Sequence, residues 1–240
     1  MGKNVKREET YYYDKIRMRL LKHIFHCFIF EKKVGCEDIG NIDLVGIKDI
    51  GGWSCGDIEV IGVEVKKAHE EKEAIAHFGK QLGQALGYSL ICHRVYLAGL
   101  FLPNEKGFSE EQRYLANHLG VGLIEVILNK DGDDVIKLDI VQTSAKHNPI
   151  EHKMNSLLYK LRIRKCTICG IYYEDKKGKV RVSQIDRYVI SKTNLDRDFL
   201  FTKFTHKELW VCKVCQDRFD FKQKKLNEKE GQLIQKIKKE

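Results

Sequence analysis

Three charged residues on two short apolar segments are the strongest candidates for chemistry in this chain. Glu64 and Lys66 stand two residues apart at the end of the Ile/Val-rich run 58–65, and Asp43 stands in the preceding segment 41–47. Because side chains of a strand alternate between its faces, Glu64 and Lys66 point the same way. Burying such charges costs several kcal/mol per ion unless each has a partner or a metal. The pattern therefore indicates either a solvated strand end or a reactive site.

The two segments predict an antiparallel hairpin around a glycine-rich turn. If Ile50 lies opposite Asp57, the same register places Asp43 opposite Glu64, with Cβ atoms about 5 Å apart. Two carboxylates at that distance repel each other, and a divalent cation between them, Mg²⁺ or Mn²⁺, removes the repulsion. Lys66 would then orient a water nucleophile or stabilise a phosphate that gains charge. A slip of one residue would send the two acids to opposite faces.

The elements around this hairpin predict an α/β fold, with helices packed on a mixed sheet. Ser109 is a typical helix N-cap. Gln84 and Tyr88 lie one helical turn apart and share a face, which is also common on the polar side of an amphipathic helix. The predicted order is a helix over 11–30, the hairpin, a helix over 70–88, a strand over 94–102, a helix from Ser109 to about Gly120, and strands over 121–127 and 135–141.

This order of elements, with its Asp followed by Glu-x-Lys, resembles the core of the PD-(D/E)xK nuclease superfamily, the restriction-endonuclease-like fold. The resemblance covers roughly residues 8–128. Gln84 and Tyr88 look like the Gln-x-x-x-Tyr motif of the RecB-type nucleases in that superfamily. The chain departs from the pattern at Ile42, which stands where the superfamily motif has a proline.

The resemblance implies a metal-dependent endonuclease that hydrolyses DNA phosphodiester bonds, of a restriction, defence or repair type. Asp43, Glu64 and the backbone carbonyl of Val65 would ligate Mg²⁺ or Mn²⁺, and Lys66 would position the nucleophile. Gln84 would hold Lys66 or the phosphate, with Tyr88 beside it. Members of the superfamily often use a further acid from the first helix, and the candidates for it here are Glu8, Glu9 and Asp14.

Four cysteines in two Cys-x-x-Cys pairs predict a second, zinc-binding module. Cys166 and Cys169 form the first pair, and Cys212 and Cys215 form the second. Four thiolates in such pairs suit a tetrahedral structural Zn²⁺ site, which leaves no open position for water. A redox dithiol would instead sit at the start of a helix in a strand–helix–strand unit, and the first pair does not. The second pair lies at the start of a predicted helix, so the module resembles a treble-clef zinc finger.

The positive charge is concentrated in the same part of the chain. The net charge is +9, but residues 1–150 hold 20 Lys/Arg against 22 Asp/Glu, whereas residues 151–240 hold 23 against 12. A basic segment with signals of a folded domain favours a polyanionic partner, and nucleic acid is the usual one. We therefore predict a nuclease-like domain over residues 1–148 and a basic, zinc-containing, nucleic-acid-binding module over residues 149–240.

Several further expectations concern partners and location. No export signal or membrane-spanning run is recognisable, so we expect a cytoplasmic protein with reduced cysteines and no membrane contact. Double-stranded DNA is the expected partner, and double-strand cutting by one site per chain would favour a homodimer. Two alternatives remain open: a catalytically inactive, zinc-containing DNA- or RNA-binding protein, and a subunit of a larger nuclease assembly.

Overall fold

The computed structural model describes residues 8–36, 39–50, 57–67, 74–166, 170–174, 179–180 and 209–210. Among these residues the chain divides into two units, the first running to Leu161 and the second beginning at Arg162. The sequence-based boundary lies after residue 148, and the helix over 151–160 belongs to the first unit.

A six-stranded mixed sheet forms the first unit, with its strands side by side in chain order. Antiparallel pairing joins the first three strands, the third, fourth and fifth are parallel, and the sixth is again antiparallel. The prediction of a mixed sheet flanked by helices is confirmed. The strands are β1 (Ile29–Cys36), β2 (Gly40–Asp49), β3 (Ile58–Lys67), β4 (Arg94–Phe101), β5 (Gly122–Leu128) and β6 (Val135–Gln142).

The predicted register of the β2–β3 hairpin is also confirmed. Leu44 pairs with Val63, Asp49 pairs with Ile58, and every pair between them follows the same register. The Ile50 N–H donates to the Asp57 carbonyl at 3.1 Å, which closes the ladder at the turn. Strand β3 is buried from residue 58 to residue 65, because it lies inside the sheet and both of its faces are covered.

Among the described residues, helices flank the sheet, and a 3₁₀ turn, Glu9–Tyr11, precedes the first of them. Helix α1 (Tyr13–Ile16) continues as a π-helical segment, Arg17–Ile24. Helix α2 (Ala74–Gly87) continues as a 3₁₀ turn, Tyr88–Leu90, and is followed later by α3 (Glu110–His118) and α4 (Glu151–Lys160). Ser109 caps α3 as predicted, because its hydroxyl accepts from the Gln112 N–H while the Gln112 side chain accepts from the Ser109 N–H.

The predicted helix over 11–30 is wrong in its second half. The helix ends at Ile24, His26 has a φ of 56°, and β1 begins at Ile29. Ile24 and Phe28 continue the four-residue apolar spacing of Ile16 and Leu20, which predicts one helix face, but both are exposed, with Phe28 at 47 %. Pairing of β1 with β2 satisfies a row of backbone groups, and this tertiary interaction outweighs the local helical pattern.

The two faces of the sheet are covered by different helices. The first helix packs on one face, where Tyr13, Ile16 and Leu20 share a buried cluster with Leu44 and Val63. The end of α2 approaches the other face at Gly62. A Cβ built on Gly62 would lie 2.9 Å from the Cys92 Sγ and 3.3 Å from the Tyr88 Cβ. Glycine at this position therefore allows Tyr88 to lie directly against β3.

The second unit is described only in part. Strands β7 (Ile163–Lys165) and β8 (Tyr172–Glu174) pair antiparallel, as do β9 (Lys179–Val180) and β10 (Leu209–Trp210). Of the four predicted zinc ligands, Cys166 is described and buried, whereas Cys169, Cys212 and Cys215 lie outside the described residues. The helix expected after Cys215 lies outside them as well. No helix within the described ranges is long and apolar enough to cross a membrane.

Candidate functional site

Asp43 and Glu64 come together at the end of the β2–β3 hairpin. The last ladder pair is Leu44 with Val63, and one more step of the same register places Asp43 opposite Glu64. The Asp43 carboxylate turns back onto β3 and accepts the Val65 N–H at 3.0 Å. Glu64 is 3 % exposed, so its carboxylate lies in the interior beside that of Asp43. The two acids that the sequence paired therefore share one site.

Lys66 provides the positive charge of this site. Its Nζ lies 2.7 Å from Glu64 Oε1 and 3.8 Å from an oxygen of Glu9. The amide of the next residue, Lys67, donates to the other Glu9 oxygen at 3.0 Å. Lys66 thus lies between two carboxylates, one from β3 and one from the residues that precede the first helix.

Tyr88 holds the other side of the Glu64 carboxylate. Its hydroxyl donates to Glu64 Oε2 and lies 3.0 Å from the Asn41 carbonyl oxygen. Tyr88 reaches this position because Gly62, two residues before Glu64 and on the same face, leaves room for its ring. Both oxygens of Glu64 are therefore engaged, one by an ammonium and one by a phenol.

Two residues near the N-terminus complete the site. Glu9 contacts Lys66 and Lys67 as described above, and the buried Tyr13 hydroxyl hydrogen-bonds the Asp43 carboxylate. Glu9 and Tyr13 are four residues apart, so one helical turn brings both to the same side. From the sequence, Glu9 was only one of three candidate acids and Tyr13 was not a candidate. The four-residue spacing of Glu9 and Tyr13 could have indicated that both lie on one side.

The structure separates Glu9 from the other two candidate acids. Asp14 hydrogen-bonds Lys32 and forms an ion pair with Arg17 at 3.0 Å, and the hydrogen bond from Lys32 holds the pKa of Asp14 below its usual range. Glu8 is exposed. Of the three acids, Glu9 is therefore the one in contact with Lys66.

Comparison with known proteins identifies no family for this chain. No protein-family model matches it, and no curated protein matches it. A solved structure of SfsA from Pyrococcus furiosus in complex with Ca²⁺ is similar, at 16 % sequence identity and a TM-score of 0.32. The similar region covers 56 % of this chain and 60 % of that chain. The site is therefore interpreted from its own residues.

The electrostatics of the site raise the pKa of Glu64 and keep Lys66 charged. Burial raises the pKa of Glu64 and the charge of Asp43 raises it further, while the hydrogen bonds from Lys66 and Tyr88 lower it without reversing the shift. Burial lowers the pKa of Lys66, but the hydrogen bond with Glu64 and the nearby charges of Glu64, Glu9 and Asp43 outweigh burial and raise it. Lys66 is thus an ammonium at neutral pH.

The two tyrosines are donors in their protonated form. Burial raises the pKa of Tyr13, and its hydrogen bond with Asp43 raises it further. Burial and the charge of Glu64 likewise raise the pKa of Tyr88. Both hydroxyls therefore keep their protons at neutral pH and hold the two carboxylates in place.

Gln84 is the one predicted residue that stands apart from this arrangement. It is exposed on α2, and within the described part of the chain its side chain makes no hydrogen bond. Gln81, one turn earlier, is buried and its amide nitrogen lies 3.0 Å from His77 Nδ1. Among the described residues no group of three or more His, Cys, Asp and Glu side chains is gathered closely enough to hold a metal ion.

Removing the Tyr88 hydroxyl should alter the pH dependence of any reaction that needs the Glu64 carboxylate. In Tyr88→Phe the donor that lowers the pKa of Glu64 is lost, so that pKa rises further and the acid limb of the rate profile moves to higher pH. The buried Glu64 carboxylate also loses a donor, at a cost of about 1–3 kcal/mol in the free energy of unfolding.

Tyr96→Phe is the matched control for this change. Tyr96 is also a buried tyrosine, on the neighbouring strand β4, and its hydroxyl is hydrogen-bonded to the Ser144 backbone. It should lose comparable stability and keep the wild-type pH profile. Rates measured between about pH 5 and 9 and thermal melts of both variants give the comparison. An unchanged profile in Tyr88→Phe would contradict the assigned role.

Proposed function

We propose that this chain is a metal-dependent endonuclease of the PD-(D/E)xK, restriction-endonuclease-like type, which hydrolyses DNA phosphodiester bonds. The observation that carries the proposal is the pairing of the half-buried Asp43 with the buried Glu64 at the end of the hairpin, with Lys66 in contact with Glu64. Charged groups inside an otherwise apolar sheet are costly for stability, and such an arrangement is typical of a reactive site.

The donor set suits Mg²⁺ or Mn²⁺. Asp43, Glu64 and the Val65 carbonyl are hard oxygen donors, of the kind that these cations prefer. Two neighbouring carboxylates share a single ammonium, so the site carries an excess of negative charge that a cation would balance. Glu9 lies on the other side of Lys66 as a further acid. When bound, the metal would acidify a water molecule and neutralise charge on the phosphate.

The surrounding residues have separate roles in this proposal. Lys66 is an ammonium and therefore acts as a donor, which orients the water nucleophile or a phosphate oxygen, and not as a general base. Tyr13 holds Asp43, and Tyr88 holds Glu64, so that both carboxylates keep their orientation. Gln84 is exposed on α2 and is assigned to the phosphate of a bound substrate.

We further propose that the basic region after residue 148 holds the DNA and contains a structural Zn²⁺ bound by Cys166, Cys169, Cys212 and Cys215. Cys166 is buried at the turn between β7 and β8, where its N–H donates to the Ile171 carbonyl at 2.8 Å. Its carbonyl accepts the Gly170 N–H at 2.8 Å, so the residue that begins the first Cys-x-x-Cys segment and the residue that directly follows the segment lie close together, as a cysteine knuckle requires. Elemental analysis of the purified chain should give one zinc per molecule.

Cleavage assays on the full-length chain test the proposed activity. Supercoiled and linear DNA and a labelled RNA are incubated with Mg²⁺, Mn²⁺ or a chelator. Cleavage of DNA that requires the metal and stops with the chelator is the expected result, and linearisation of the circle without a nicked intermediate would support a homodimer. Absence of cleavage with either metal, on every substrate, would sink the proposal.

A further inference from the structure

One residue of β1 is held in an unfavourable backbone conformation directly across from the site. Lys32 pairs with Leu44 and Val34 pairs with Ile42, but the pair between them, Lys33 with Asp43, is missing from the ladder. Lys33 has a φ of 51°, in the left-handed region that a residue with a side chain enters at a cost in stability. Such local distortions of a strand often redirect a side chain next to a functional site.

The other two non-glycine residues with positive φ in the described chain have an ordinary structural reason. His26 and Arg162 each stand one position beyond the C-cap of a helix, where the left-handed conformation is common. Lys33 stands in the middle of a strand, where no helix end requires that conformation. Neither a helix end nor a turn therefore explains the left-handed conformation of Lys33.

The Lys33 side chain lies over the ring of Tyr13, the residue that holds Asp43. Its Nζ lies 6.0 Å from the centre of the Tyr13 ring, and the Tyr13 hydroxyl is the group that holds Asp43. Lys33 is exposed, and no carboxylate of the described residues forms an ion pair with it. Its neighbour Lys32 is instead bonded to Asp14. Lys33 is thus an exposed cation beside Tyr13 that is available to a ligand.

We propose that Lys33 binds a backbone phosphate of the nucleic acid next to the scissile one. This inference rests on the proposed function, because the phosphate is placed by the reaction at Asp43 and Glu64. A bound phosphate oxygen would give the exposed ammonium the partner that it lacks, with release of a condensed counterion. The strained backbone then has a reason: it keeps this ammonium at the mouth of the site before substrate arrives.

Lys33→Gly tests the inference because it separates stability from binding. Glycine adopts a φ of 51° without strain, so the Tm of the full-length variant should equal or exceed that of the wild type. The dissociation constant for a fluorescent 20-base-pair duplex, measured with Ca²⁺ in place of Mg²⁺, should rise by about tenfold. The KM for cleavage should rise by about the same factor. The slope of log K against log salt should fall by about 0.9, the value for one phosphate contact.

Lys32→Gly is the matched control, since it removes the same charge from the neighbouring residue. Glycine weakens an ordinary strand position, so its Tm should fall while the dissociation constant stays within about twofold of the wild type. Lys33→Arg, which keeps the charge, should bind as the wild type does. If Lys33→Gly binds and cleaves like the wild type, or Lys33→Arg is as weak as Lys33→Gly, the inference is overturned.

The same measurements distinguish failure of the inference from failure of the proposed function. If the wild type cleaves no nucleic acid but Lys33→Gly still weakens duplex binding with the reduced salt slope, the phosphate contact stands and the nuclease proposal falls. If the wild type cleaves and Lys33→Gly cleaves equally well, the nuclease proposal stands and the phosphate contact is disproved. If the wild type neither binds nor cleaves, both are disproved.

Discussion

Glu64→Gln should lower metal-dependent cleavage by about 10³-fold, a rise of about 4 kcal/mol in the activation barrier. The amide is nearly the same size as the carboxylate and can still accept the hydrogen bond from Tyr88, but it brings no charge to a cation. The loss should therefore appear in kcat and in the Mn²⁺ concentration needed for half-maximal activity. It should not come from unfolding.

The difference in stability between Glu64→Gln and the wild type should depend on pH, with the variant more stable at neutral pH. Because the folded state raises the pKa of Glu64 above its ordinary value of 4.5, ionisation of this residue opposes folding. That penalty is absent below the ordinary pKa and complete above the raised one. Glu64→Gln lacks the penalty, so its Tm should exceed that of the wild type at pH 7.5, and the gap should close as the pH falls below about 4.5.

Glu59→Gln is the matched control on the same strand. Glu59 is also buried, at 7 % exposure, but it pairs with Arg94 at 2.8 Å, away from the Asp43 carboxylate. Its loss leaves a partly buried guanidinium without its carboxylate, so the Tm should fall while cleavage per folded molecule is retained. Cleavage by Glu64→Gln at the wild-type rate, or equal loss of cleavage in Glu59→Gln, would refute the assignment of Glu64 as a metal ligand.

Lys66→Met should reduce cleavage by about 10²–10³-fold, because it removes both the ammonium at the reacting centre and a charge that favours ionised Glu64. Without Lys66 the pKa of Glu64 rises further, so half-maximal activation should require more Mn²⁺ at pH 6.5 than at pH 8, by a larger ratio than in the wild type. A rate deficit should persist at pH 8 under saturating Mn²⁺, because the lysine also acts on the nucleophile or the phosphate.

Lys67→Met provides the comparison for Lys66→Met. Lys67 contributes its backbone N–H to Glu9, which the substitution keeps, and in the described structure its side chain forms no ion pair or hydrogen bond. The variant should cleave within about twofold of the wild type. If Lys66→Met cleaves at the wild-type rate at pH 8 and saturating Mn²⁺, Lys66 acts only by lowering the pKa of Glu64. The proposed action of Lys66 on the nucleophile or the phosphate would then be wrong.

The sequence by itself determined the hairpin and its register. The turn between the two segments sets the pairing: with Ile50 opposite Asp57, as the structure has them, the same register brings Asp43 to Glu64. The cap at Ser109 and the position of Tyr88 directly after α2 depend on residues within a few positions of each other, so local pattern was sufficient for them.

Other features were decided only by the tertiary structure. The first helix ends six residues before Phe30 because β1 pairs with β2. Helical periodicity within one segment cannot show that the segment will instead pair with a strand elsewhere in the chain. The choice of Glu9 over Asp14 depends on the contacts of Glu9 with Lys66 and Lys67 at the end of β3 and on the pairing of Asp14 with Lys32. The contacts of Tyr13 with Asp43 and Lys33 join segments distant in sequence. Local pattern predicts which residues share a face of one element, whereas contacts between elements are set by how the whole chain packs.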